Sequence, residues 1–165
     1  MKSRMQIVIA SLAMVACFAW NQSQALAQAE QFEVSSTITD RTYLEPPVFE
    51  QVGPLTRLTV HVSYTQLCPD DPRLEGTMEV TGVWMIDMRD NPWTFVGHGE
   101  WTSALTMGGE IEGTWCMDSS GTMRGTGFIT GGELDGALMK SVSVAGSPFL
   151  GWIEYEARIL LPASQ

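Results

Sequence analysis

Residues able to do acid–base chemistry are few in this sequence, and they form no familiar catalytic pattern. Histidine occurs only as His61 and His98. Gly-x-Ser-x-Gly, His-Glu-x-x-His and a phosphate-cradling loop at the start of a helix are all missing from the sequence. The sequence therefore assigns no catalytic residue and no cofactor, and it favours a non-catalytic protein over an enzyme.

The most suggestive local arrangement of ligating residues is His98 with Glu100. The two are separated by one residue on a predicted strand, so they share a face, and His61 on another strand is a third candidate ligand. A zinc site needs three or four protein ligands. Solvated side chains are the simpler interpretation, and we predict no metal site. Asp70 and Asp71 are predicted to be turn residues that bond their own backbone.

Large aromatic and methionine side chains recur on the apolar faces of predicted strands. Trp and Met form adaptable, polarizable walls, so an interior enclosed by them suits a small apolar ligand. The alternative is a fully packed core. The predicted ligand-binding residues are Met78, Trp84, Phe95, Trp101, Trp115 and Met117, and Met88 and Met107 are predicted on the same apolar faces.

The elements that would position these residues are β-strands. Apolar residues alternate with polar ones along most of the chain, which is typical of strands with one buried face. In the clearest case Leu58, Val60, Val62 and Tyr64 share a face. The predicted strands are Phe32–Ile38, Leu55–Thr65, Leu74–Met88, Thr94–Met107, Glu110–Asp118, Thr122–Thr130, Glu133–Val144 and Gly151–Leu161.

Two of these strands carry more specific predictions. Pro46 and Pro47 follow the first strand and are expected to end its ladder, because proline has no backbone donor. In the seventh strand, the residues predicted to share the buried face are Leu134, Leu138, Val142 and Val144.

Short connections imply that neighbouring strands are antiparallel. We therefore predict an all-β, up-and-down barrel of eight strands, with a two-sheet β-sandwich as the alternative. A barrel of this size is at the boundary between a filled interior and room for one small ligand. Glycines expected inside strands would permit its strong coiling; they are Gly97, Gly99, Gly113, Gly125, Gly127 and Gly136.

The glycine-rich stretch Gly125–Ala137 resembles the hairpin of the allene-oxide-cyclase and dirigent-like families. Gly109–Trp115 and Trp152–Tyr155 have a similar rhythm, and the resemblance spans Leu74–Leu161. It implies an eight-stranded antiparallel barrel with a central cavity. No catalytic residue of the cyclases matches a position here, so none is carried over.

The N-terminus has the layout of a secretory signal peptide. Lys2 and Arg4 precede an apolar stretch over residues 7–20, and Ala25-Leu26-Ala27 is a small-x-small cleavage pattern. We therefore predict that residues 1–27 are removed and that the protein is secreted or periplasmic.

Residues 28–165 are then long enough for a single domain. The whole chain has 165 residues, with 9 Lys and Arg against 19 Asp and Glu, which gives a net charge of −10. Nucleic acids and anionic membrane surfaces do not attract a polyanion. We expect neither as a partner.

Two cysteines remain after the predicted cleavage. An even number in an exported chain predicts a disulfide between Cys68 and Cys116, with two free buried thiols as the alternative. The removed segment contains Cys17, where Met14-Val15-Ala16-Cys17 resembles a lipoprotein cleavage box. A lipoprotein anchored through Cys17 is therefore the alternative localisation.

Together these features predict a secreted, non-catalytic barrel that binds a small apolar ligand or a protein partner. The resemblance implies one alternative, a cyclase or isomerase whose cavity restricts the conformation of its substrate. Export, alternation and strand number also fit a small outer-membrane barrel, although the chain ends in Gln165 without an aromatic residue. A secreted hydrolase inhibitor that acts through the loop Cys68–Pro72 is a further alternative.

Overall fold

The computed structural model describes residues 30–89 and 93–162, and eight strands within these ranges close into an antiparallel barrel in sequential order. The predicted signal peptide and Cys17 lie outside the described residues. Pairing of the first strand with the last excludes the sandwich. The strands are β1 (Gln31–Val52), β2 (Leu55–Leu67), β3 (Gly76–Asp87), β4 (Thr94–Leu105), β5 (Glu110–Met117), β6 (Met123–Thr130), β7 (Leu138–Ser147) and β8 (Trp152–Leu160).

Inward and outward side chains alternate along the strands as the sequence pattern predicts. Leu58, Val60, Val62 and Tyr64 on β2 are all buried, and the residues between them are partly exposed. The same period of two residues places the tryptophans of β3, β4 and β5 inside the barrel. The interior is therefore the hydrophobic core of the molecule.

The first strand is longer than predicted and passes through Pro46 and Pro47. It pairs with β8 only as far as Ile38 and continues to Val52 with β2 as its partner. The prolines coincide with a register shift between Glu45 and Val48. Prolines are tolerated there because this part of β1 is an edge with a bulge, where no ladder donor is required.

The buried face predicted for the seventh strand is wrong within β7, although Leu134, in the 3₁₀ turn before it, is buried as predicted. Met139 is 2% exposed and points inward, and the period of two residues places Ser141 and Ser143 on the same side. Val144, which was expected inside, is 56% exposed. Small serines line the wall of a cavity at this point, so the hydrophobic pattern alone selects the wrong face.

One end of the barrel, where β2–β3, β4–β5 and β6–β7 are connected, has an aliphatic core and is here named the aliphatic half. Two of its buried polar residues, Gln66 and Ser103, are 1% and 0% exposed. Gln66 Nε2 donates to the Leu74 carbonyl at 2.7 Å, and Ser103 Oγ donates to Gln66 Oε1 at 3.1 Å. The fully buried apolar side chains of this half include Leu74, Ile111, Ile129 and Ile159.

Short 3₁₀ turns cover parts of the barrel ends, at Pro72–Leu74, Gly132–Leu134 and Pro148–Leu150. The Asp71 side chain caps the first of them by accepting from the Arg73 backbone N–H at 3.1 Å, which confirms its interpretation as a turn residue. Asp70 instead accepts from the N–H of Ser35 on β1 at 2.8 Å. No helix in the described ranges is long and apolar enough to cross a membrane.

Candidate binding site

An interior cavity of about 70 Å³ lies toward the opposite end of the barrel, where β1–β2, β3–β4, β5–β6 and β7–β8 are connected. This end is here named the cavity half. The wall is mainly apolar, with aromatic and methionine side chains on several strands and two serines on β7. The lining residues include Tyr64, Met78, Trp84, Trp101, Trp115, Met123, Met139, Ser141, Ser143 and Tyr155.

Three indole rings of the wall lie over inward-facing glycines. A Cβ on Gly127 would be 2.7 Å from Trp101 Cζ2, and a Cβ on Gly97 would be 2.6 Å from Trp84 Cδ1. Both distances are too short for real atoms, so each ring occupies space that only glycine leaves open. The matched sets are Trp84 with Gly97, Trp101 with Gly113 and Gly127, and Trp115 with Gly82 and Gly99.

The ladder register explains why these residues meet. Trp101 pairs with Gly113, which pairs in turn with Gly127 on the next strand. Side chains in one ladder row point to the same side of the sheet, so a large residue extends over its small neighbours. Of the glycines predicted to permit coiling, Gly97, Gly99, Gly113 and Gly127 also accommodate the rings. Gly125 instead lies against the Ser141 hydroxyl, and Gly136 lies before β7 with φ of 81°.

Aromatic side chains also surround the mouth of the cavity. Trp84 packs against Trp115 with ring centroids 4.8 Å apart. Phe149 contacts Trp84 at 5.9 Å and Phe95 at 4.7 Å. Phe149 belongs to the 3₁₀ turn Pro148–Leu150, and Pro148 itself lines the cavity. This turn is therefore one side of the mouth.

Two polar atoms in this wall have no hydrogen-bond partner among the described residues. They are Trp84 Nε1 and Tyr155 Oη, on side chains whose residues are only 4% and 7% exposed. By contrast, Trp115 Nε1 donates to the Thr81 carbonyl at 3.3 Å. Unsatisfied groups at this depth are rare in native proteins, and each calls for a physical explanation.

The tyrosines of the wall are neutral and able to donate. Burial raises the pKa of Tyr155 above its usual value of 10.0, although the neighbouring Ser36 hydroxyl opposes the rise. Burial also raises the pKa of Tyr64, opposed by the positive charge of the nearby Arg41. Both groups therefore carry their proton at neutral pH.

The predicted binding residues are placed as follows. Met78, Trp84, Trp101 and Trp115 line the cavity. Met117 is buried in the core but is not part of the lining. Phe95 is half-buried at the mouth, against Phe149.

Two methionines expected on the apolar faces lie elsewhere. Met88 and Met107 are 46% and 61% exposed. Both lie beyond the ends of their strands, since β3 ends at Asp87 and β4 ends at Leu105. The alternation that predicted their burial does not extend past the last paired residue.

Several wall residues are not among those predicted from the sequence. Alternation along β8 places Tyr155 inside the barrel, but alternation alone does not indicate that its hydroxyl faces a cavity. Ser141 and Ser143 were missed because polar residues were assigned to the outside. The signal in the sequence is the pair of small inward residues Ser141 and Ser143, of which Ser141 lies opposite Gly125 on β6.

The predicted disulfide between Cys68 and Cys116 is wrong, since both residues are free thiols. Cys68 is buried, and its thiol donates to the Ser35 carbonyl at 3.6 Å, whereas Cys116 is exposed on β5. Two strands separate β5 from β2. Adjacent strands are about 4.8 Å apart, so the pair exceeds the Cα separation of about 7 Å that a disulfide allows.

The histidines lie on the outer surface. His98 and Glu100 are exposed on β4. His61 is flanked by two carboxylates, with Nδ1 3.7 Å from Glu45 Oε1 and Nε2 3.7 Å from Glu79 Oε2. Within residues 30–89 and 93–162, no group of three or more His, Cys, Asp or Glu residues is arranged to hold a metal ion.

Neither the protein-family models nor the curated proteins give a match to this chain. The resemblance around Gly125–Ala137 is therefore supported only at the level of architecture, an eight-stranded antiparallel barrel. Fold and site together define a closed up-and-down barrel with a small, aromatic-lined interior cavity.

Proposed function

We propose that this protein binds a small, mainly apolar molecule inside the barrel and does not transform it. The observation that carries the proposal is the unfilled cavity of about 70 Å³, whose wall consists largely of Trp, Tyr and Met side chains. Native cores contain few voids larger than a water molecule. An apolar void of this size therefore suits occupation by a ligand.

Size limits the candidates. An engineered apolar cavity of about 150 Å³ binds benzene, and the present cavity is smaller. Met78, Met123 and Met139 line it, and methionine side chains adapt their shape more readily than branched ones. Because these methionine side chains can adapt, the cavity suits ligands with roughly four to six heavy atoms, up to the size of benzene.

The chemistry of the wall favours binding over the cyclase or isomerase alternative. None of the described lining residues is a carboxylate or a histidine, so no general base faces the cavity. The cation Arg124 is paired with Asp118, their Nη1 and Oδ2 atoms 2.7 Å apart. These features support a binding protein.

The outer surface supports a barrel surrounded by water. The outward side chains of β3 and β5 include Glu79, Thr81, Glu112 and Thr114, and all four are exposed. A membrane barrel has the opposite polarity, with an apolar outside and a polar inside. Together with the N-terminal pattern over residues 1–27, this supports a function in an extracytoplasmic compartment.

A titration tests the proposal. Xenon and cyclopentane are added to the purified protein while tryptophan emission is recorded, since Trp84, Trp101 and Trp115 all line the cavity. We expect a saturable change in emission for both. Absence of a saturable change with either probe would refute a ligand-binding interior.

A variant that fills the cavity provides the specificity control. Ser141→Leu adds three carbon atoms to the cavity wall and is expected to abolish the response. Lys140→Leu introduces the same side chain on the preceding residue, which is exposed, and should leave the response intact. Equal responses in both variants would show that the probes bind elsewhere.

A further inference from the structure

We infer that the molecule bound in the cavity carries an oxygen atom that accepts a hydrogen bond, as ketones, aldehydes, ethers and alcohols do. The inference rests on the proposed function, because it requires that the cavity be occupied. It specifies the ligand as uncharged, mainly apolar and oxygen-bearing.

The first argument concerns Trp84. Its indole N–H can only donate, and the side chain both lines the cavity and packs over Gly97. No described residue accepts from it. The adjacent Trp115 stacks on the same ring but donates to the Thr81 carbonyl, so the local backbone satisfies one indole and not the other.

The second argument concerns Tyr155. Its neighbour across the β1–β8 ladder is Ser36, whose hydroxyl donates to the Leu67 carbonyl at 2.8 Å. The Tyr155 hydroxyl lies beside Ser36, but it makes no hydrogen bond of normal length and angle to a described residue. Its proton therefore has no acceptor in the described wall.

The charged residues of the wall determine which charge the ligand can carry. A carboxylate ligand would need an unpaired cation, but Arg124 is paired with Asp118. A cationic ligand would need an anion, and no described lining residue is acidic. Two buried donors without a partner, in a mainly apolar wall, match a neutral molecule with one oxygen, because a buried N–H or O–H that is left unpaired carries a desolvation cost which an acceptor removes.

The experiment compares two molecules of nearly the same shape, cyclopentanone and methylenecyclopentane. A wall without hydrogen bonds would favour the hydrocarbon, because the ketone must leave its hydrogen bonds to water. We expect the opposite, with cyclopentanone binding at least tenfold more tightly. Dissociation constants are measured by tryptophan emission or calorimetry.

Variants then assign the preference to the two donors. Tyr155→Phe removes one oxygen atom, and Trp84→Phe removes the indole N–H; we expect at least one of them to reduce the tenfold preference to about onefold or to reverse it. Tyr43→Phe removes the hydroxyl of an exposed tyrosine outside the cavity and should keep the preference. The hydrocarbon affinity measured beside it shows whether each variant still has a functional cavity.

The outcomes separate this inference from the proposed function. Binding of both molecules without preference for the ketone in the wild-type protein would overturn the inference and leave the proposed function standing. A preference that survives in both Tyr155→Phe and Trp84→Phe would also overturn it. Binding of neither molecule would remove the proposed function itself.

Discussion

The aliphatic half and the cavity half of the barrel bury polar side chains in different ways. In the aliphatic half, Gln66 and Ser103 satisfy each other and the Leu74 carbonyl. In the cavity half, Trp84 and Tyr155 are similarly buried, yet their donors find no partner among the described residues. An unsatisfied buried group costs about 1–3 kcal/mol, so the cavity half gives up stability where a ligand can restore the missing bond.

The two halves also fill their interior differently. Aliphatic side chains such as Ile111 and Ile129 are 0% exposed and interdigitate at one end. At the other end, flat indole rings lie against glycine backbone, as Trp101 does over Gly127. A rigid ring on a matching surface cannot spread to fill a neighbouring gap, whereas flexible aliphatic chains can. This difference accounts for the cavity in the half that contains the indole rings.

The largest effect should come from disturbing the match between indole and glycine. A Cβ on Gly82 would overlap Trp115 Cζ2, so Gly82→Ala forces the ring or the strand to move. We expect the free energy of unfolding to fall by about 2–3 kcal/mol, typical of overpacked cores. Urea denaturation followed by tryptophan fluorescence measures it.

A glycine without such a neighbour is the control. Gly121 has φ of +85°, and no atom lies within 4 Å of a Cβ placed on it, so Gly121→Ala should cost only backbone strain of about 1 kcal/mol. Adding Trp115→Phe to Gly82→Ala should recover part of the loss, since the smaller ring leaves room for the methyl group. Equal losses for the two alanine variants would contradict the indole–glycine match.

Much of the fold could be predicted because the period of two residues is a local property. It placed Leu58 and Val60 inside and gave the strand number and order correctly. It failed where tertiary context decides, as at Pro46, which lies in a bulged edge of β1. It also failed at Val144, whose strand turns serines toward the cavity.

The candidate site was predictable only in part. Alternation identified Trp84, Trp101 and Trp115 as interior residues, but not that glycines on neighbouring strands accommodate them, because this depends on the ladder register. The unsatisfied hydroxyl of Tyr155 could not be foreseen for the same reason. The disulfide failed because cysteine parity says nothing about how many strands lie between Cys68 and the other thiol.

A change in stability of intermediate size is expected from variants that test hydrogen bonding in the two halves. Ser103→Ala leaves Gln66 Oε1 without the 3.1 Å bond from the serine hydroxyl, and we expect a loss of about 1–2 kcal/mol in the free energy of unfolding. Tyr155→Phe removes a hydroxyl that has no partner, so the ligand-free protein should keep its stability or gain up to about 1 kcal/mol. Both are measured by urea denaturation without ligand.

The sign of the difference is what matters in this pair of variants. A loss in Tyr155→Phe as large as that in Ser103→Ala would mean that the Tyr155 hydroxyl contributes a bond in the folded protein. The contrast between the two halves would then disappear. A neutral or stabilising Tyr155→Phe would instead support a donor that is held for a ligand.

The smallest change in stability is expected from variants in the turns at the two ends of the barrel. Asp71, beside the aliphatic half, accepts from Arg73 Nε at 2.9 Å and from Nη2 at 2.7 Å. These bonds lower the pKa of its carboxyl below 3.8, against the opposing effect of burial. Because the folded pKa is below the unfolded one, the stabilisation is complete above the unfolded pKa and is lost as the pH falls through the folded pKa.

Asp71→Asn should therefore lower the free energy of unfolding by about 1 kcal/mol at pH 7, with the difference from wild type shrinking as the pH falls below the unfolded pKa of about 4. Asp118, in the β5–β6 turn at the cavity half, has a pKa lowered to about 2 by Ser120 and Arg124, but its side chain is 43% exposed. Water screens an exposed pair, so Asp118→Asn should change stability less. If the two variants lose the same stability over the same pH range, then burial does not distinguish the two ends of the barrel. A larger loss for Asp71→Asn, measured by denaturation at several pH values, would extend the contrast between the halves from their interiors to the turns that connect their strands.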